Sequence, residues 1–165
     1  RAAVAGGQGA VGGVERADSV LAALHALPDN VAHDALLLVH DAARPNVRGG
    51  DLSKLIAAAN AQRDGAILAA PVRDTLKASD ADHRIEATVP RAGLWRALTP
   101  QAFRRDLLQR ALQTAQAAGV MVTDEAMAVE RLGLHPVLVE GREDNLKVTT
   151  PADLALVEFL LARAA

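Results

Sequence analysis

The sequence predicts an α/β protein in which helices pack on a mostly parallel sheet, and three observations carry that expectation. Two short aliphatic runs, Leu36-Leu37-Leu38-Val39 and Ala66-Ile67-Leu68-Ala69-Ala70-Pro71-Val72, are unbroken by polar residues. Such runs read as strands buried on both faces, the kind found in parallel sheets. Between them Leu52, Leu55, Ile56 and Ala59 recur with helical spacing, which makes a β-α-β unit whose crossover should be right-handed. Half of the residues are hydrophobic but only 2% are aromatic, and an Ala/Leu/Val-rich composition suits helices laid on a sheet. At 165 residues the chain fits one domain with a real core, 1–165, and no internal repeat is visible.

The same composition excludes several classes. A net charge of −2 without any run of Lys or Arg argues against nucleic-acid binding. With no cysteine there is no disulfide framework and no thiolate metal site. Nothing reads as a signal peptide or as an apolar run long enough to span a membrane, so the expectation is a soluble, cytoplasmic protein without membrane partners. The chain opens in Arg1-Ala2-Ala3-Val4-Ala5-Gly6-Gly7 without an initiator Met, which reads like the interior of a longer protein.

In chain order, residues 1–14 are Gly- and Ala-rich and read as a flexible loop; Gly13 is the position there most suited to close backbone approach by a ligand. Val20, Leu21, Leu24 and Leu27 then recur as a helix closed by Pro28. Asp18 and Ser19 at its start serve as caps or, with the helix N–H groups, receive a ligand. The first strand ends in His40-Asp41-Ala42-Ala43-Arg44-Pro45. Asp51 reads as the N-cap of the next helix, and 66–72 as the second strand. Thr75-Leu76-Lys77, a turn at Ser79-Asp80-Ala81-Asp82, and Ile85-Glu86-Ala87-Thr88-Val89 alternate as a hairpin does. Pro90-Arg91-Ala92-Gly93 turns the chain into Leu94-Trp95-Arg96-Ala97-Leu98-Thr99-Pro100. A hairpin of this kind projects as an arm over about 73–100, leaving Leu94 and Trp95 as either core or interface residues. Phe103, Leu107, Leu108, Ala111, Leu112 and Ala115 form a helical stripe ended by Gly119. Val120-Met121-Val122 reads as a short strand. Thr123 reads as a helix cap with Asp124 and Glu125 in the first turn, and Gly133 ends that helix. Pro136-Val137-Leu138-Val139 is another strand. Thr150, Pro151 and Asp153 open a last helix packed by Leu154, Val157, Leu160 and Leu161.

Polar residues collect at the ends of these elements: Ser19, Asp41, Arg44, Thr75, Arg91, Thr99, Thr123 and Lys147. Ligands of open α/β sheets sit just beyond the carboxyl ends of the strands. Hydroxyls and cations there suit phosphate oxygens, and Asp41 is either a turn cap or a carboxylate for a hard divalent cation. His25, His33, His83 and His135 show no metal-ligand spacing, and His40 reads as a residue packed at a strand end. No Ser/His/Asp set and no paired carboxylates are spaced for catalysis. From residues alone the reading stops at a phosphate or nucleotide site in an α/β domain.

Six segments in one order go further: 15–20 (Glu-Arg-Ala-Asp-Ser-Val), 39–45 (Val-His-Asp-Ala-Ala-Arg-Pro), 70–75 (Ala-Pro-Val-Arg-Asp-Thr), 94–101 (Leu-Trp-Arg-Ala-Leu-Thr-Pro-Gln), 123–126 (Thr-Asp-Glu-Ala) and 140–149 (Glu-Gly-Arg-Glu-Asp-Asn-Leu-Lys-Val-Thr). From about Gly13 onward the chain closely resembles the 2-C-methyl-D-erythritol 4-phosphate cytidylyltransferases of the non-mevalonate isoprenoid pathway. The resemblance implies a three-layer α/β/α, Rossmann-like nucleotidyltransferase fold with a hairpin arm that clasps a second subunit, hence a homodimer. It implies attack of the 4-phosphate of methylerythritol on the α-phosphorus of CTP with loss of pyrophosphate, aided by Mg2+ or another divalent cation at Asp41. Gly13 and Ser19 would serve the cytosine and ribose side, and Asp41 would stand between metal and sugar. Thr75, Arg91, Thr99, Thr123 and Arg44 would hold the polyol phosphate, with Arg91 reaching the partner's site. Lys147 would face the nucleotide α-phosphate.

Two departures stand out. Val14 occupies a place where the family carries an acid, and the family's N-terminal Gly-rich phosphate loop followed by Pro-Lys-Gln is absent from these residues. The chain alone is therefore expected not to turn over CTP. Two rival readings remain: a ribitol-5-phosphate cytidylyltransferase, which Asp41, Thr75 and Arg91 would serve equally well, and a non-catalytic dimerisation fragment. The 94–101 segment favours methylerythritol over ribitol.

Overall fold

The computed structural model describes residues 11–12 and 15–163. Four strands form one sheet in the order β1 (Leu36–Val39), β5 (Trp95–Arg104), β2 (Ala66–Pro71), β6 (Val137–Glu140). β2 pairs in parallel with β6, and β5 runs antiparallel to both β1 and β2. Three strands therefore point one way, and their carboxyl ends share one edge. The β-α-β unit is present through α2 (Gly49–Ala61), but β5 is inserted between its two strands. The arm is a separate two-stranded ribbon, β3 (Leu76–Ser79) with β4 (Ile85–Val89).

Side chains alternate across a strand, and that alternation builds the layers. Ile67 and Phe103 face one core with Val20, Leu21 and Leu24 of α1 (Arg16–His25), Leu107, Leu108, Ala111 and Leu112 of α3 (Arg105–Ala117), and Ala126, Ala128 and Val129 of α4 (Glu125–Glu130). Ala66, Leu68, Ala70 and Ala102 face the opposite core with Leu55 and Ala59 of α2. The sheet is thus sandwiched between helices.

Several expectations are corrected. β1 is not buried on both faces: Leu38 is 38% exposed, because β1 is a margin of the described sheet and bonds to β5 alone. Phe103 belongs to β5, opposite Leu37, not to the helix that follows. Its spacing to Leu107 and Ala111 mimics a helix, but pairing with β1 and β2 holds the backbone extended to Arg104. Residues 120–122 form no strand; the Val120 N–H bonds back to the Ala115 carbonyl instead. Asp51 lies inside the first turn of α2, whose N-cap is Arg48, and its carboxylate accepts the Arg142 N–H at 3.0 Å. The cap of α4 is Asp124, which accepts the Met127 N–H at 2.9 Å, and not Thr123. In α5 (Pro151–Ala162) only Val157 is buried, while Leu154, Leu156, Phe159 and Leu161 are exposed.

Candidate active site

β1 ends at Val39, and β5, running the other way, extends past it. Val39 stands opposite Gln101, so two positions further out Asp41 and Thr99 meet beyond the end of β1. The Asp41 N–H donates to Thr99 Oγ1 at 3.0 Å. The chain then turns tightly, with the Arg44 N–H on the Asp41 carbonyl at 2.9 Å.

The segment after β6 is docked onto this turn by backbone and amide bonds. The Val148 N–H donates to the Ala43 carbonyl at 2.8 Å, and buried Asn46 donates through Nδ2 to the Asp144 carbonyl at 2.9 Å. Asn145, also buried, donates through Nδ2 to the Thr99 carbonyl at 2.8 Å, and its own carbonyl accepts Arg44 Nη1 at 2.7 Å. This docking delivers Lys147: its Nζ lies 3.2 Å from Asp41 Oδ2. Arg44 Nε is 3.5 Å from the same oxygen, and Arg16 Nε, from the first turn of α1, is 3.1 Å from Oδ1. Arg16 also pairs through Nη1 with Glu125, whose side chain is 1% exposed.

The two carboxylates that share Arg16 are pushed in opposite directions. Burial raises the Asp41 carboxyl, but the charges and hydrogen bonds of Arg16 and Lys147 outweigh it and hold Asp41 below the usual range. For Glu125 burial is the larger effect, and its carboxyl is pushed up despite Arg16. Arg44 is lowered, chiefly by burial, with Arg96 and Arg16 adding repulsion. Around Asp41, then, three cations surround one ionised carboxylate, an excess of positive charge suited to phosphate oxygens.

Among the described residues no group of three or more His, Cys, Asp or Glu could hold a metal ion alone. A magnesium-like ion needs only one or two carboxylates when phosphates and waters complete its shell. Asp41 supplies one such ionised carboxylate, held by Arg16, Lys147 and Arg44 at 3.1 to 3.5 Å, and Lys147, at 45% exposure, is the most accessible of the three cations.

Of the residues expected from sequence, Asp41, Arg44, Thr99 and Lys147 come together. Thr123 is exposed at the start of α4, two residues before Glu125, with its hydroxyl against Met127 Sδ. Ser19 lies one turn along α1 from Arg16 and donates to the Glu15 carbonyl at 3.2 Å; a methyl added to Gly12 would stand 3.2 Å from its Oγ. Thr75 and Arg91 are exposed on the arm, and among the described residues no hydrogen bond or ion pair joins either to the Asp41 cluster. Gly13 lies outside the described residues. Sequence reasoning misses Arg16, Glu125 and Asn145. The signal for Arg16 is its place in the first turn of a helix whose start faces the strand ends; Glu125 is hidden because an acid in a first turn already has a role as a helix-dipole partner.

The family profile of 2-C-methyl-D-erythritol 4-phosphate cytidylyltransferase matches residues 8–163. A protein of that name from Xanthomonas campestris pv. campestris (strain B100) is 64% identical over 152 residues, covering 92% of this chain and 57% of the relative. One from Stenotrophomonas maltophilia (strain K279a) is 61% identical over 155 residues, 94% of this chain and 67% of the relative. The chain therefore spans little more than half the length of the Xanthomonas protein. Among solved structures, the 2-C-methyl-D-erythritol 4-phosphate cytidylyltransferase of Thermus thermophilus superposes with a TM-score of 0.82 at 36% identity, over 92% of this chain and 71% of that one. The Francisella tularensis enzyme of the same name gives 0.83 at 33% identity, over 90% and 69%.

Proposed function

The chain belongs to the 2-C-methyl-D-erythritol 4-phosphate cytidylyltransferase family, and from that premise we propose that it forms the polyol-phosphate side of a site transferring a cytidylyl group from CTP to 2-C-methyl-D-erythritol 4-phosphate. The observation that carries this reading is the convergence of Arg16, Arg44 and Lys147 on Asp41 beyond the end of β1. Phosphoryl and nucleotidyl transfer demand little covalent chemistry of a protein. They demand that two anionic reactants be brought together in line and that charge building on the attacked phosphorus be offset.

Lys147 and Arg44 supply that offset. Lys147, the more exposed, faces the nucleotide α-phosphate, and Arg44 takes the 4-phosphate of the polyol. Asp41 orients the polyol and is the residue that would hold a divalent cation, which when bound supplies further positive charge at the α-phosphate. Arg16 keeps Asp41 ionised and aimed. Thr123, at the start of α4, lies beside the polyol, and Gly13 and Ser19 take the nucleotide side. Thr75 and Arg91 come from the arm at about 73–100. Its exposed Ile85, Leu94 and Trp95 offer an apolar surface to a second copy, so that Arg91 completes the partner's site in a homodimer. Residues 1–165 form a single nucleotidyltransferase-like domain. They contain no Gly-rich loop followed by Pro-Lys-Gln, and by themselves they release no pyrophosphate from CTP.

The test is a substrate panel. A full-length protein carrying these residues is given CTP, Mg2+ and either 2-C-methyl-D-erythritol 4-phosphate or ribitol 5-phosphate, and pyrophosphate is measured. Release with the first and not the second supports the reading. Preference for ribitol 5-phosphate, release with neither, or release by the 165-residue chain alone contradicts it.

A further inference from the structure

Three hydrogen bonds around His40 form a chain whose direction is fixed when the ring is neutral. His40 Nε2 lies 2.9 Å from the Arg44 carbonyl oxygen. A carbonyl only accepts, so Nε2 carries the hydrogen. In the neutral ring Nδ1 is then an acceptor, and the Thr99 hydroxyl 3.0 Å away donates to it. The same hydroxyl oxygen accepts the Asp41 N–H at 3.0 Å. The one hydrogen of the Thr99 hydroxyl is thus committed, and Thr99 is buried at 5% exposure.

The two ends of that chain are the two ends of one turn. Asp41 and Arg44 are joined directly by the Arg44 N–H on the Asp41 carbonyl at 2.9 Å. His40 grips the same turn from outside, at the Arg44 carbonyl through Nε2 and at the Asp41 N–H through Thr99. We infer that His40 is a positioning residue that sets the turn presenting Asp41 and Arg44, directly at Arg44 and through Thr99 at Asp41, and that Thr99, its hydrogen held by His40, is not an independent hydrogen-bond donor to substrate. This deepens the proposed function and rests on it for the kinetic consequence; the bonding pattern itself does not depend on any substrate.

Two measurements decide it. Imidazole 15N spectra of the 165-residue chain, recorded on the neutral ring, should show His40 as the Nε2–H form. Thr99→Val should move the Nδ1 resonance toward that of a free acceptor while Nε2 stays. An Nδ1–H form, or an Nδ1 signal indifferent to Thr99→Val, overturns the inference whether or not the protein is a cytidylyltransferase. The second measurement uses the full-length enzyme with His40→Ala, Thr99→Val and the double variant. Each single change should lower kcat/KM about 10–100-fold, the usual range for a lost orienting partner. The double variant should fall within about 2-fold of the weaker single one, because both changes break the same chain. Multiplying losses, or a rise in KM for methylerythritol phosphate in Thr99→Val alone, would mean that Thr99 binds substrate by itself. A wild-type enzyme inactive with methylerythritol phosphate would sink the functional reading and leave the 15N result standing.

Discussion

Arg16 sits between two carboxylates that it treats unequally. Asp41 keeps some access to water and has a second cation in Lys147, so attraction wins and its carboxyl is lowered. Glu125 is sealed in, and among the described residues it has Arg16 as its one cation and its other oxygen, Oε2, is buried without a hydrogen-bond partner, so burial wins. The consequences for stability oppose each other. Asp41 binds a proton less readily folded than unfolded; its contribution is complete above about pH 3.9 and is lost as pH falls through its lowered folded value. Glu125 binds a proton more readily folded than unfolded; its contribution is complete below about pH 4.3 and is lost as pH rises through its raised folded value. Carboxyl 13C titration should therefore place Glu125 above and Asp41 below the ordinary range. Coincident titrations would mean that burial at Glu125 and the cations at Asp41 do not set the two carboxyls apart. Arg16→Met should destabilise the fold by about 2 kcal/mol, less than the ~3–5 of a fully buried pair because Arg16 is 30% exposed. Chemical denaturation measures this, and an unchanged midpoint would contradict it.

At the scale of elements, short-range chemistry is legible in the sequence and long-range pairing is not. The last helix announces its start. Thr150 Oγ1 accepts the Asp153 N–H at 3.3 Å, and the Asp153 carboxylate accepts the N–H groups of Thr149 and Thr150 at 3.0 and 2.8 Å. The N–H and hydroxyl groups of Thr149 and Thr150 donating to it bring the Asp153 carboxyl down to about 2. The cap is intact above the ordinary aspartate range and is lost as pH falls through about 2; Thr150→Ala should cost about 1 kcal/mol, visible as fraying of α5 in amide exchange. The arm and the Gly119 and Gly133 helix ends, both at positive φ, are likewise visible, since turn and cap residues act over a few positions. Phe103 misleads because its partner Leu37 lies far away in sequence, and the same distance hides the insertion of β5 between β1 and β2. Gly65 shows what that packing demands. It has φ +87°, and a Cβ there would lie 2.7 Å from the Ala102 carbonyl oxygen and closer still to Phe103 Cδ1. Gly65→Ala should cost at least about 2 kcal/mol by denaturation; a neutral effect would mean that the β2–β5 packing is looser than described.

At the scale of the molecule, three strands ending on one edge gather polar residues from α1, β1, β5 and the segment after β6. The residues with phosphate-binding chemistry are visible in sequence, and so is the edge on which they belong. Which of them touch is not, because Asp41, Thr99, Asn145 and Lys147 meet only through the β1–β5 register and the docking of 142–148 on 41–46. The arm stands apart from the sandwich, with Ile85 67% exposed. Sedimentation of the full-length protein should give a dimer, and Ile85→Asp should shift it toward monomer; a wild-type monomer would remove Arg91 from the site.

The most direct measurement is steady-state pyrophosphate release by full-length wild-type and Asp41→Asn proteins with CTP, Mg2+ and methylerythritol phosphate, alongside their melting curves. Replacing the carboxylate by an isosteric amide should lower kcat by at least about 100-fold, as loss of a central charged group in a preorganised site does, while the fold persists. A folded Asp41→Asn protein with wild-type kcat would contradict the account.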